Sequence, residues 1–573
     1  MRMVCTVFSY QTRLELDAKE DAALTAYASL YGRVERSLFA AMQTKAPMND
    51  LKRQFLLEYG ITARQFNAIR VGVEGKIDSI KARRPDLITE LQLRIKKAQK
   101  AIQNTEDRLQ ALRAPDAAFK KGKVVKTLSS EERARAATNA AFKLHHKKRR
   151  LHILQTKLGT MLADHKDARV RLCFGSKKLF HAQFDLKANG YADHAAWKAD
   201  WQARHNSQFF VLGSQDETAG NQSCQAVVQA DGTLTLELRM PNACEGDHGK
   251  RAVIAGVRFA YGHDKIVAAL SSSQRLASKT QKGTNIMKRI GSALSYRFVR
   301  DAKSWRVFVS CRVPAAPTCT QAGLGAIGVD INANHLAVAI LNRFGAPTKH
   351  LRIDTHTFGK TSNQTKAIIG DAAVRIVGTA AASGKPIVLE KLDFAKKKAE
   401  LEGTQPHVAR MLSCFAYKHI VSSIKAVAFR AGVEVIEVNP AYTSVIGALN
   451  HAQKRGVSVH MGAAVAIARR GLGLAEKPSV RVGLVPLRNG GHVTLALPVR
   501  NRAKHVWSYW AMIRKHQKAA LTAHYRSDAW KQAPAPLSPA MRTLCAHRSS
   551  TAKSRSASQQ HCSADALPED IPY

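Results

Sequence analysis

The chain has 573 residues, 45% of them hydrophobic, and carries 89 Lys and Arg against 43 Asp and Glu, a formal net charge of +46. An excess spread along the chain in this way seeks a polyanion. With no apolar run long enough to span a bilayer and no lysine-rich helix with a clean apolar face, nucleic acid is the expected partner and membrane is not.

The start, "MRMVCTVFSYQTRLELDAKE", lacks the apolar core and small-residue cleavage site of a secretion signal, so a cytoplasmic, nucleoid-associated location is expected. Cysteines 5, 173, 224, 244, 311, 319, 414, 545 and 562 are scattered and form no C-x-x-C pair, which disfavours a disulfide scaffold and structural zinc.

Alternation over "CTVFSYQTRL" predicts a strand within residues 1–20. Helical periodicity follows over 21–168. Within it, about 86–165 read as an antiparallel hairpin of helices: Leu91, Ile95, Ala98, Ile102, Leu109 and Leu112 follow three- and four-residue spacing with one turn skipped at Thr105, and Leu144, Leu151, Leu154, Leu158 and Met161 repeat it. The polar face of that hairpin carries Lys143, Lys147, Lys148, Arg149 and Arg150, either a solvated helix face or an arm that grips phosphate.

From 169 to 316 the pattern changes to short strands, "RVRLCFG", "SQFFVLGS", "SCQAVVQADGTLTLELRMP", "RAVIAGVRFAYG" and "ALSYRFVRDAKSWRVFVSCRV", which predict a compact β-barrel. Gly175, Ser176, Lys177 and Lys178 are expected to form a loop there with free N–H groups and two ammonium groups, a phosphate contact.

After a Pro- and Ala-rich linker, residues 322–480 read as three meandering strands followed by alternating helices and strands, the layout of the RNase H fold: "AIGVDINA", "HLAVAILN", "KHLRIDTHTF", a helix near 362–383, "KPIVLEKL", a long helix from 407 ending at Gly432, "VEVIEV" and a final helix in "VHMGAAVAIARRGLG". From about Ala475 regularity fades, and 481–573 read as a basic extension, Ser- and Ala-rich and largely disordered at its end. Trp507 and Trp510 either stack bases or pack an extra helix onto the core. The whole is a multidomain α+β chain.

Asp330 stands inside the apolar run "AIGVDINA", where a lone carboxylate is costly unless something compensates it. "GVDINANHLAVAIL", "GKPIVLEKLDFAKKKAEL" and "VARMLSCFAYKHIVSSIKAVAFRAGVEVIEVNPAYTSVIG" resemble the RuvC-like nuclease domain of the TnpB (OrfB) proteins of insertion-sequence transposons, relatives of type V CRISPR effectors, over residues 326–473. The resemblance implies a RuvC-like nuclease domain preceded by a helical recognition lobe and a wedge domain, the latter being the predicted β-barrel. It implies an RNA-guided DNA endonuclease whose guide RNA derives from the transposon end and whose partner is a DNA target. Asp330 and Glu390, on strands about 4.8 Å apart, would hold two Mg²⁺ or Mn²⁺ ions about 3.5–4 Å apart for phosphodiester hydrolysis.

Two features depart from that pattern. The family's four-cysteine zinc ribbon after "NPAYTS" is missing, so no zinc is expected, and His460 stands where the third catalytic aspartate belongs. A neutral His can act there as general base or outer-shell ligand; Glu437 is the alternative third group. Asn439, Tyr442, Thr443 and Ser444 are expected to form a loop that shapes the site or contacts the scissile strand, and Arg469 and Arg470 to meet phosphate or form salt bridges. The competing readings are a nuclease-impaired RNA-guided DNA binder or repressor, and a guide-independent DNA-binding accessory protein of a transposon. Oligomeric state is not legible.

Overall fold

The computed structural model describes residues 5–44, 46–114, 128–272, 274–279, 285–391, 417–478, 482–487 and 492–526. The loop 115–127, most of "KLDFAKKKAEL", the expected helix before Tyr417 and the tail after Arg526 lie outside them. The chain divides near residue 315 into two compact units.

In the first unit, β1 (Cys5–Arg13) pairs antiparallel along its length with β9 (Trp305–Pro314). Every second residue of β9, from Trp305 to Val313, is buried, which is the period-2 pattern of a strand with one wet face. With β8 (Ser295–Arg300) and β2 (Gln208–Val211) it forms a four-stranded sheet in the order β1-β9-β8-β2. Helix α1 (Ala18–Gln43), started by a capping box of Asp17 and Glu20, lies on that sheet: Tyr27 stacks on Phe209 at 4.2 Å, and Phe209 on Phe298 at 4.7 Å. Helices and strands here share one core.

Helix α2 (Met48–Tyr59) leads into α3 (Ala63–Arg113), which runs 51 residues straight through Pro85, where the sequence suggests a boundary. Pro costs an interior helix about 3 kcal/mol. Two things offset it: the apolar seam of the hairpin, and buried Arg84, which donates to the carbonyls of Asp164 (2.7 Å) and Arg169 at the far end of the partner helix α4 (Ser130–Lys166). Leu91 and Ala98 meet Leu154, while Leu109 and Leu112 meet Ala140, so α3 and α4 are antiparallel as their spacing predicts. The skipped turn at Thr105 is filled by Lys147, whose ammonium donates to Thr105 Oγ1 and to Ala101 O at 3.2 Å.

The expected β-barrel is not found: the described strands form open sheets. Beside the four-stranded sheet stands a three-stranded one of β3 (Cys224–Val228), β4 (Leu234–Arg239) and β5 (Arg251–Val257), and a ribbon of β6 (Gln274–Lys279) and β7 (Asn285–Ile290). Helices α1 and α3 cover the apolar face, so it is buried without closure. "RVRLCFG" is irregular, and the stretch read as strands also holds helices α5 (Lys177–Ala182), α6 (His194–His205) and α7 (His263–Ser271).

The second unit is built on a five-stranded sheet, β12-β11-β10-β13-β14. Strands β10 (Ile327–Ile331), β11 (His335–Leu341) and β12 (Pro347–Asp354) form an antiparallel meander; β13 (Ile387–Glu390) and β14 (Val435–Val438) add in parallel, the layout expected from the sequence. Helices α8 (Ser362–Ser383) and α9 (Tyr417–Ala431) cover one face. The other is covered by α11 (Val459–Gly471), which follows α10 (Thr443–Ile446) and a π-helical segment, Gly447–Ala452. Burial on both faces explains why the central strands read as unbroken apolar runs.

The stretch after Ala475, read as irregular, is ordered in part: β15 (Val482–Pro486), β16 (His492–Ala496) and α12 (Val506–Arg526) pack Val485, Leu495, Trp510 and Ile513 against Val445, Ile446 and Leu449. Trp510 is buried, its indole N–H donating to Glu476 O at 3.2 Å, so it packs a helix and stacks no base. Glu476, its side chain 10% exposed, is bound at this junction by His451 (2.7 Å), Asn450 (2.9 Å) and Arg469 (2.8 Å). Burial pushes its carboxyl up, but the His451 bond and charge, the Asn450 bond and Arg469 together hold it below the ordinary value of 4.5. The stability it contributes is therefore present above that value and lost as pH falls through the lower, folded one. Glu476→Ala, which leaves partly buried Arg469 and buried His451 beside no acid, is expected to cost on the order of 2 kcal/mol in urea unfolding at pH 7, with the difference from wild type shrinking below pH 4.5.

Candidate active site

Strand register decides which acids meet. Parallel pairing of Val329 with Leu389 makes Asp330 and Glu390 the next neighbours, on the face that Gly328, Val388 and Val438 turn to α11. That helix lies very close to β10: a Cβ on Gly328 would stand 2.0 Å from Ala464 O. At its start a second close contact, Gly462 on Gly447, presses the first turn onto the π-helical segment, with a Cβ on Gly462 falling 2.4 Å from Gly447 O. Ser458 caps the helix by accepting from Met461 N at 3.2 Å. The result places His460 over the end of β10, its Nδ1 3.2 Å from Asp330 Oδ2.

A carboxylate only accepts, so Nδ1 carries a proton and donates to Asp330; in the neutral ring this makes Nε2 the acceptor. Asp330 is 9% exposed and also accepts from Asn332 Nδ2 at 3.0 Å; the His460 side chain is half exposed. Glu390 accepts from Thr443 Oγ1, and its backbone carbonyl from Tyr417 OH at 2.7 Å. Burial, with the charges of Glu390, Glu437 and Asp330, pushes the Tyr417 hydroxyl well up, so it remains a donor.

Thr443 is delivered by a restrained loop. Tyr442 takes a left-handed backbone (φ +64°), a conformation unfavourable for a bulky residue. Arg470 holds the loop, donating to the carbonyls of Asn439 and of Ala441 (2.9 Å), while its guanidinium lies 5.9 Å from the ring centroid of half-exposed Trp507. Arg469 donates to Gly345 O at 2.9 Å and pairs with Glu476. Both arginines thus brace the unit: of the two roles expected for them, Arg469 makes the salt bridge, and Arg470 holds carbonyls.

Glu437 does not join the cluster. It pairs in register with Leu389, one residue out of phase with Glu390, so it faces the α9 side of the sheet, where Lys425 Nζ meets it at 2.9 Å. A slip of one residue exchanges faces of a strand, and the alternative third group is on the wrong one.

Two residues were missed at the level of sequence, Asn332 and His335. Buried His335 gives Nδ1–H to Asn334 Oδ1 at 2.8 Å and stands edge-on to His460, ring centroids 5.1 Å apart. Burial, then the charge of Arg352 and His460, push its imidazole down, with Asp330 and Asp354 opposing in part. Their only prior signal was polarity at the turn between two apolar strands.

Among the described residues no set of three His, Cys, Asp or Glu side chains is gathered tightly enough to hold a metal ion unaided. The donor chemistry nonetheless suits a hard divalent cation: two carboxylates from adjacent strands, one of them buried, with an imidazole beside it. No described helix is long and apolar enough to cross a membrane.

Elsewhere, Lys177 and Lys178 are exposed, in the first turn of α5 and not in a loop. On the hairpin, Lys147 is spent at Thr105 and Lys148 pairs with Glu106 at 2.8 Å, whereas Lys143, Arg149 and Arg150 are exposed. Lys143→Gln with Arg149→Gln is expected to lower the salt slope of nucleic-acid binding by about 0.9 for each duplex phosphate that is no longer neutralised. Lys147→Ala is expected to loosen the hairpin by about 1–2 kcal/mol and leave the slope unchanged. Titrations at several salt concentrations and thermal melts separate the two.

No family model and no curated protein matches the chain. Solved structures similar to it include T. thermophilus RuvC in complex with Holliday junction substrate, 16% identical, covering 25% of this chain and 90% of that one at a TM-score of 0.19. A Cas12f1–sgRNA–target DNA complex is 10% identical, covering 81% and 99% at a TM-score of 0.28. A CRISPR-Cas12f ternary complex is 14% identical, covering 81% and 98% at a TM-score of 0.16. The overlap in space is slight in all three, so what the chain does is read from its own site.

Proposed function

We propose that the chain is a transposon-associated, RNA-guided DNA endonuclease of the RuvC type. The observation that carries this reading is the convergence of Asp330, Glu390 and His460 on one face of the sheet, with Nδ1 of His460 3.2 Å from Asp330. Asp330 and Glu390 would hold Mg²⁺ or Mn²⁺, as a pair of ions. Bound there, the metal supplies charge neutralisation at the phosphate and an acidified water. Mg²⁺ is commonly held by one or two carboxylates, with waters and substrate phosphate completing its shell, so two acids suffice for a site that assembles on the nucleic acid.

The chain's own groups do the rest. Asp330 fixes the tautomer of His460, whose Nε2 takes a proton from the attacking water. Thr443, held by the Arg470 clamp on its loop, keeps Glu390 in one rotamer, and Asn332 does the same for Asp330. The surplus of +46 supplies the electrostatic grip on guide RNA and DNA target.

The test is direct. The full chain, expressed with its flanking DNA, is expected to co-purify with a discrete RNA, and that complex to cut duplex DNA matching the RNA in Mg²⁺ or Mn²⁺ but not in EDTA. One observation favours a second reading, a binder or repressor that has lost cleavage: an imidazole stands where the resemblance calls for a third carboxylate. Matched DNA bound but never cut in either metal would establish it, and a protein free of RNA would sink both.

A further inference from the structure

The helical insertion α5–α6 in the first unit carries a stack of aromatic rings that leads from the core out to solvent. Trp197 is buried and anchored, its indole N–H donating to Leu179 O at 2.8 Å. Trp201 stacks on it, centroids 5.7 Å apart and planes 18° off parallel, and is held from below by His205 at 4.1 Å. Phe180 leans on Trp201 at 5.8 Å and is 40% exposed; Phe184 meets Phe180 at 6.1 Å and is 74% exposed. The lower rings are fixed, and the upper two offer open faces to water at a real cost in apolar exposure.

Charge around the stack is net positive. Asp185 accepts from Ala188 N, Asp193 caps α6 through Ala196 N, and Asp200 accepts from Tyr191 OH, so these three acids keep their charge but are oriented by local donors. They are outnumbered by Lys177, Lys178, Lys187, Lys198 and Arg204, which are exposed and form no ion pair among the described residues. Open aromatic faces rimmed by unpaired ammonium and guanidinium groups suit a strand whose bases are unpaired: the rings stack on the bases while the cations meet the phosphates.

We infer that Phe180 and Phe184 form a stacking platform for unpaired nucleobases of a single-stranded nucleic acid. This rests on the nucleic-acid part of the proposed function and not on cleavage. Every base has a π-face, so recognition here is tolerant of sequence.

The experiment uses the full chain freed of RNA, in EDTA, with single-stranded 12-mers of DNA and of RNA each containing 2-aminopurine. Wild type is expected to bind both and quench the probe as it stacks. Phe180→Ala with Phe184→Ala, both exposed and so compatible with folding, is expected to weaken binding by about 10- to 100-fold, abolish the quench, and leave the salt slope and circular dichroism unchanged. Lys177→Gln with Lys178→Gln is expected to keep the quench and lower the salt slope by about 0.7 for each phosphate that is no longer neutralised. A greater weakening on RNA than on DNA, or the reverse, names the strand that the platform serves. Unchanged affinity and quench in the double Phe variant overturns the platform. So does self-association of wild type that this variant abolishes while binding 12-mers normally, which reassigns the rings to a protein interface. With neither guide nor metal present, failure here leaves the cleavage reading standing, and failure of cleavage leaves this one standing.

Discussion

Asp330→Ala and Glu390→Ala are each expected to abolish Mg²⁺-dependent cleavage of guide-matched DNA and to leave RNA-dependent binding of that DNA nearly intact. Each carboxylate is half of the two-acid donor set proposed for the metal, and among the described residues no third acid is gathered with them. Binding survives because removing an acid from a phosphate site also removes repulsion, and the grip comes from the basic surface. Folding should survive too. Asp330 lies at the end of its strand, accepting from Asn332 and His460, and its removal frees two polar groups of which His460 is half exposed. Gel-shift and cleavage assays on the same preparations check both halves; cleavage by either variant at more than about a hundredth of the wild-type rate places the chemistry elsewhere.

The second large effect is expected at His460. His460→Ala should lower the single-turnover rate by roughly 10² to 10⁴, about 2.7–5.5 kcal/mol of transition-state stabilisation, the range for loss of a positioned acid or base. The geometry sharpens what else to expect. With Nδ1–H given to Asp330, Nε2 is the nitrogen left to take the proton of the attacking water, so the loss should appear in the chemical step and not in DNA binding. His460→Asp restores the aspartate of the resembled family and should retain or raise activity in Mg²⁺. Glu437→Ala should leave the rate unchanged, because that side chain faces Lys425 across the sheet. A full rate in His460→Ala joined to a dead Glu437→Ala would reverse the assignment.

Much of this protein was legible in its residues. Unbroken apolar runs marked the central strands of the second unit, and alternation marked β1, because a strand buried on two faces and one buried on a single face have different periods of hydrophobicity. Gly432 ended a helix where expected, with φ of +69°. Asp330 stood out because a carboxylate in such a run is costly. Periodicity also gave the seam of the hairpin, and even its skipped turn at Thr105, though not the lysine that fills it.

Only the tertiary structure decided the rest. Whether the strands of the first unit close depends on what covers their apolar face, and α1 and α3 cover it, so no barrel is needed among the described residues. Whether Pro85 breaks α3 depends on contacts made by Arg84 some eighty residues away at Asp164 and Arg169. The choice between His460 and Glu437 turned on register, since pleating sends neighbours to opposite faces and no local pattern says which face a distant helix will cover. Arg469 and Arg470 likewise read as phosphate contacts or salt-bridge partners alike until the fold brought carbonyls and Glu476 to them. Periodicity is a local property of the chain and survives reading one residue at a time; the pairing of polar groups is set by long-range packing, and there the same residue types serve a site, a clamp or a solvated face.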